Sequence, residues 1–219
     1  MMIGRRALLV ASLCAASKAE IRPAAALPVP PNGLLAFRLM RHGEEIGHHT
    51  LSFERAGDIL TVRTEVTARV TLLSIPIVNY RHQVVETWRG ETLTSVAGET
   101  DKNGQHEWVK ASRGGEGLVV TGSKTERYLA PEPARAATYW NRHVLDGPMI
   151  SLEDGVLLRP KVAMIRTENI PLASGGTIPA DRYNLSGPFA VDLWYDQSNT
   201  WASLALTAID GSTVRYERL

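Results

Sequence analysis

The sequence predicts one all-β domain, a curled antiparallel sheet or spiral β-barrel of about 11–12 strands with one short helix as a plug. Two observations lead to this. Residues 60–72 alternate without a break: Leu60, Val62, Thr64, Val66, Ala68, Val70 and Leu72 against Thr61, Arg63, Glu65, Thr67, Arg69 and Thr71. Period-two alternation places one set on a buried face and the other in water. The second observation is the recurrence of hairpin turn signals, among them Gly57-Asp58, Arg89-Gly90, Asn103-Gly104, Gly114-Gly115, Gly175-Gly176, Gly187-Pro188 and Asp210-Gly211.

Between the turns lie runs suited to strands: residues 34–41, 49–55, 78–89, 92–99, 105–112, 117–123, 156–167, 178–185, 189–196, 201–209 and 213–219. A meander this large curls or closes to hide its edges. One stretch departs from the pattern. Pro131 and Pro133 precede residues 134–145, which hold several alanines with Tyr139, Trp140 and His143. Proline near a first turn and an alanine-rich body predict a short helix, placed mid-chain where it plugs one end of the sheet.

The chain has 219 residues, 44% hydrophobic and 21% charged, a composition suited to one globular domain over residues 27–219. The formal charge is +1, and residues 1–26 contribute +3 through Arg5, Arg6, Lys18 and Arg22 against Glu20, leaving −2 for the rest. A slightly acidic domain is a poor match for nucleic acid, whose phosphates need clustered positive charge.

Residues 1–26 read as an export signal: Arg5-Arg6, an apolar run over residues 7–16, and Ala24-Ala25-Ala26 as small residues for cleavage before Leu27. Ser17-Lys18-Ala19 offers a second cleavage position. Gly4-Arg5-Arg6-Ala7-Leu8-Leu9 is similar to a twin-arginine signal, and a general secretory signal fits equally well. No later segment has the roughly 18 apolar residues of a membrane helix, so no anchor is expected after cleavage. The expected location is the periplasm or the outside of the cell. Cys14, the single cysteine, would leave with the signal, so thiolate sites and disulfides are not expected in the mature domain.

No G-x-S-x-G, P-loop, H-E-x-x-H or Rossmann glycine pattern occurs, and neither a metal nor a cofactor is expected. His48 and His49 are neighbours whose rings point to opposite faces of a strand, and both read as exposed, turn-proximal residues. The run over residues 78–89 is more informative. Its largely apolar face, Val78, Tyr80, His82, Val84, Glu86 and Trp88, carries two polar groups that must be paired or line a wet cavity if that face turns inward. His82 and Glu86 lie roughly 13 Å apart along the strand, too far to form a dyad alone. Two aromatic groups complete the candidates: Tyr139-Trp140-Asn141 on the plug and Trp194 within Asp192-Leu193-Trp194-Tyr195-Asp196. Such side chains line pockets and anchor cores alike. The ligand-binding candidates are therefore His82, Glu86, Trp88, Tyr139, Trp140, Asn141 and Trp194.

With the Gly43-Glu44-Glu45-Ile46-Gly47 turn, Tyr80 and Glu86-Thr87-Trp88, Tyr139-Trp140-Asn141 and the strand over residues 192–196, the chain resembles an uncharacterised family of bacterial exported proteins known as a domain of unknown function. The resemblance implies no catalytic residue. More distantly the chain is similar to periplasmic spiral β-barrel proteins, whose curled sheet around a helix is also the layout of lipoprotein-localisation carriers. Layout alone carries little functional weight. Three functions stay open: binding of a lipid-like or amphipathic molecule inside the sheet, an envelope scaffold that binds another protein, and an enzyme whose acid–base groups, His82, Glu86 or His143, come from separate elements.

Overall fold

The computed structural model of the chain describes residues 27–72, 75–208 and 210–219. The expected leader over residues 1–26, with Cys14 and both expected cleavage positions, lies outside the described residues.

The first meander comprises β1 (Leu34–Arg41), β2 (Glu44–Ala56), β3 (Ile59–Leu72), β4 (Ile75–Arg89), β5 (Thr92–Lys102), β6 (Gln105–Gly114), β7 (Gly117–Gly122) and β8 (Thr125–Leu129). Two of its hairpins turn on His42-Gly43 and Asn103-Gly104, where both residues have positive φ. That double left-handed geometry twists with the flanking strands and favours an Asn-Gly pair. After an inserted segment come β9 (Arg135–Ala136), β10 (Met149–Ile150) and β11 (Leu157–Leu158), a small separate sheet. The second meander follows: β12 (Lys161–Pro171), β13 (Thr177–Ser186), β14 (Val191–Asp196), β15 (Trp201–Thr207) and β16 (Thr213–Arg218).

Antiparallel pairing of β16 with β1, with Leu39 opposite Tyr216, fuses the two meanders into one 13-stranded sheet. Its order starts at β12, passes through β16 and β1, and ends at β8. β8 and β12 do not pair with each other, so the sheet is curled but not closed. Inward residues from β1 to β7 and from β13 to β15 nevertheless share one hydrophobic core.

Where the predicted helix stood, the chain does something else. Residues 134–137 run alongside β10, with Arg135 N donating to Pro148 O and Ala137 N to Ile150 O. Tyr139 then takes φ +63°, a left-handed conformation that a regular helix does not admit. What remains is a single 3₁₀ turn, Arg142–Asp146, capped by Asn141, whose Oδ1 accepts from His143 N at 3.1 Å. The plugging role holds in a different form: Trp140, Val144, Met149 and Ile150 are buried in the common core.

Two glycines admit this segment. A Cβ on Gly98 of β5 would lie 2.6 Å from Leu152 O, and one on Gly122 of β7 would lie 2.0 Å from Asp154 O. Strand glycines here mark a close approach of another backbone.

Candidate functional site

Because β3 alternates strictly, its inward face records what fills the sheet along its length. Leu60 and Val62 are buried in packed core, Thr64 and Val66 are still buried, and Ala68 and Val70 are only half-buried. The same gradient runs from Trp88 to Val78 on β4. The inserted segment fills one end of the curled sheet and leaves the other as a cavity of about 830 Å³.

The cavity wall is mostly aliphatic, with Leu39, Val66, Val70, Leu204 and Leu206 among its residues. Polar side chains interrupt it, among them His49, Thr64, Tyr80, His82, Tyr139 and Glu153. Cross-strand register places Phe37, His49, Val66, His82 and Thr100 in one row over β1–β5. His82 is 8% exposed, and its Nδ1 lies 2.8 Å from Thr100 Oγ1. Tyr80 Oη donates to Glu153 Oε1 at 2.8 Å. His49, 7% exposed, packs against the rings of Trp201 at 5.1 Å and Tyr216 at 5.6 Å, and neither ring nitrogen has a hydrogen-bond partner among the described residues. Thr64 Oγ1 is likewise buried without a partner. At the rim, Arg41 pairs with Asp210 and Lys102 stands exposed.

Burial sets the charge state of these groups. It lowers His49 to about 3, helped by the nearby His82, and lowers His82 to about 4. Both rings are neutral at physiological pH. Tyr80, Tyr139 and Tyr216 are all pushed upward, first by burial and then by the Glu153 charge in each case except Tyr216, where Tyr139 ranks ahead of Glu153. The histidines of the wall are thus uncharged, while Glu153, Asp210, Arg41 and Lys102 are its acidic and basic side chains.

The sequence candidates divide. His82 and Tyr139 line the cavity. Glu86, Trp88 and Trp140 form a closed knot in the packed end. Glu86 is 0% exposed and accepts from Trp88 Nε1 at 3.0 Å and Trp140 Nε1 at 3.3 Å. Trp140 also meets the Trp88 ring at 5.5 Å and the Phe53 ring at 5.3 Å, both edge-on. Burial raises Glu86 to about 7, with hydrogen bonds from Thr138, Trp88 and Trp140 pulling the other way. Asn141 serves as the 3₁₀ cap. Trp194 sits on the opposite face of the sheet from the cavity, because its neighbours Leu193 and Tyr195 take the inward positions. There it packs with Ile170, Ala180 and Ala202, donates to Glu168 Oε1 at 2.9 Å, and lies 5.3 Å from each of the Arg182 and Arg215 guanidinium groups.

His82 and Glu86 are not brought together, and His143 lies exposed beside Asp146 at 2.7 Å. His49 overturns the expectation of two exposed histidines: only His48 is exposed. The signal was its phase, since His49 shares a face with Leu51 and Phe53, which are buried. Thr64 and Tyr80 also belong to the wall, both on inward faces that the alternation predicted.

An open, β-barrel-like sheet with one hollow end is the class that this geometry defines. The chain belongs to the family described as domain of unknown function DUF6134, which matches residues 37–219. Its fold is similar to the crystal structure of a β-barrel-like protein of domain of unknown function DUF1849 from Brucella abortus. The TM-score is 0.58, with 10% sequence identity, over 85% of this chain and 94% of that one. At that identity the likeness is one of fold alone. No curated protein matches the sequence.

Proposed function

We propose that this chain is an exported, non-catalytic binding protein that holds a lipid-like or amphipathic molecule inside its curled sheet, in the periplasm or outside the cell. The cavity carries the proposal. At about 830 Å³ it has the size of a small-molecule site, and its largely apolar surface with interspersed polar groups suits an amphipathic occupant. The signal-like leader with Arg5-Arg6 and Ala24-Ala25-Ala26 supports export.

Native mass spectrometry of the chain purified from the periplasm of its own host tests both parts. The expected result is a mature protein lacking residues 1–26 and carrying a co-purifying lipid mass. Val66→Trp, which fills the cavity from β3, should abolish that mass. A cytosolic protein that retains Met1 would overturn the location. A ligand-free protein into which an apolar fluorophore does not partition would overturn the binding role.

A further inference from the structure

Five buried side-chain polar atoms among the described residues lack a hydrogen-bond partner. Three of them, His49 Nδ1, His49 Nε2 and Thr64 Oγ1, belong to two residues of the same cavity wall. His49 is opposite Val66 and Thr64 is opposite Leu51, so the two are diagonal neighbours on the inward faces of β2 and β3. Leaving such groups unmet inside a protein is costly; the three atoms are themselves enclosed, and the cavity that both residues border is the space from which a partner would reach them once these side chains shift.

We propose that this part of the wall receives the hydroxyl group of an uncharged long-chain lipid, held by His49 and Thr64, with the apolar chain running along the aliphatic wall toward the rim. This rests on the binding role above and names the polar end of the ligand. A neutral imidazole offers one N–H donor and one acceptor nitrogen, and a threonine hydroxyl both donates and accepts. A lipid hydroxyl, which also does both, complements that set. A carboxylate or phosphate only accepts, so it leaves the acceptor nitrogen unmet. It also brings a charge against Leu39, Val66 and Leu204. Burial keeps His49 uncharged, and the neighbouring His82 adds to that effect, so no cation waits here for an anionic head. The cations that line the cavity, Arg41 and Lys102, stand at its rim.

The test compares four probes of equal chain length on the full mature protein: 1-tetradecanol, monomyristin, tetradecanoate at pH 8 and tetradecane. The alcohol or the glyceride should bind at least about tenfold more tightly than both the alkane and the carboxylate, the scale expected when buried polar groups gain or lose a partner. Whichever of the two binds better identifies a free alcohol or a glycerol ester as the hydroxyl's source. His49→Phe and Thr64→Val should each bring the alcohol-to-alkane ratio to within about twofold while alkane uptake persists. The wild-type ratio needs no variant, so a variant that fails to fold does not blunt the test. Equal binding of alcohol and alkane, or a preference for tetradecanoate, overturns the hydroxyl assignment and leaves the cavity's binding role standing. Failure of every probe to enter overturns both.

Discussion

The packed and hollow ends of the curled sheet are built from the same strands, yet their inward faces solve different problems. At the packed end β3 contributes Leu60 and Val62, β4 contributes Trp88, and the inserted segment supplies Trp140 to close the space. The one polar side chain in that knot, Glu86, is met by both indoles. At the hollow end the same strands continue to Val70 and Val78, the inserted segment only borders the space through residues such as Tyr139 and Glu153, and His49 and Thr64 are left unmet among the described residues. The packed end satisfies its buried carboxyl internally; the hollow end satisfies His82 through Thr100 and Tyr80 through Glu153 but leaves His49 and Thr64 without partners among the described residues. Dense packing and open space thus occupy different stretches of common strands.

Truncation should expose this contrast most strongly. Trp140→Ala removes a fully buried indole and one donor to Glu86, and it should lower unfolding free energy by about 3–5 kcal/mol in urea titration. Val70→Ala, on a face that already borders open space, should cost less than about 1 kcal/mol by the same measurement. Similar losses for the two would erase the distinction between the ends.

Acidity should act on the two ends in opposite directions. Glu86 has a folded pKa of about 7 against an ordinary 4.5, so the folded state holds its proton more firmly than the unfolded chain. Its effect is to lower stability as pH rises from about 4.5 to 7, on the order of 3 kcal/mol when complete. His49 and His82 run the other way. Their folded values of about 3 and 4 lie below 6.5, so stability falls as pH drops from 6.5 through those values. Glu86→Gln should flatten the stability profile between pH 5 and 7, and His49→Phe should lessen the loss below pH 6.5. If Glu86→Gln leaves the slope from pH 5 to 7 unchanged, the carboxyl is not the group responsible.

At neutral pH, His49→Phe should also raise stability by about 1–2 kcal/mol, because a ring of similar shape replaces two unpartnered polar atoms among Phe37, Trp201 and Tyr216. A loss of stability instead would mean that His49 is satisfied within the folded chain. The smallest effect belongs to Trp194→Phe, which should leave lipid uptake unchanged because that ring lies on the far face of β14. A change in uptake would tie that face to the site.

Much of this arrangement was legible in the sequence wherever one physical rule acted alone. Alternation over residues 60–72 located β3 and its inward face, and Asn103-Gly104 marked a hairpin because left-handed residue pairs are costly for most other sequences. The same rule applied to Leu193 and Tyr195 sends Trp194 outward, yet aromatic character made it look like a cavity residue. β8, with Glu126 and Arg127 exposed at a sheet edge, lacks an apolar face and gave no strand signal. The segment 134–145 looked helical because alanine and proline speak to local propensity, whereas pairing with β10 decided its path. The Glu86–Trp140 contact joins residues 54 positions apart, and no local pattern announces it.

Leaving β8 and β12 without mutual pairing has a mechanical consequence. In a closed barrel, strand number and stagger together fix the bore. An unclosed scroll is under no such constraint: its curvature is set by what packs against it, here the shared core and the inserted segment, which bonds to the β8 side through Asp154 O and Gly155 O. Its girth is therefore a matter of packing rather than of register, and repacking the interior would be answered by curvature before any rung of the ladder is lost.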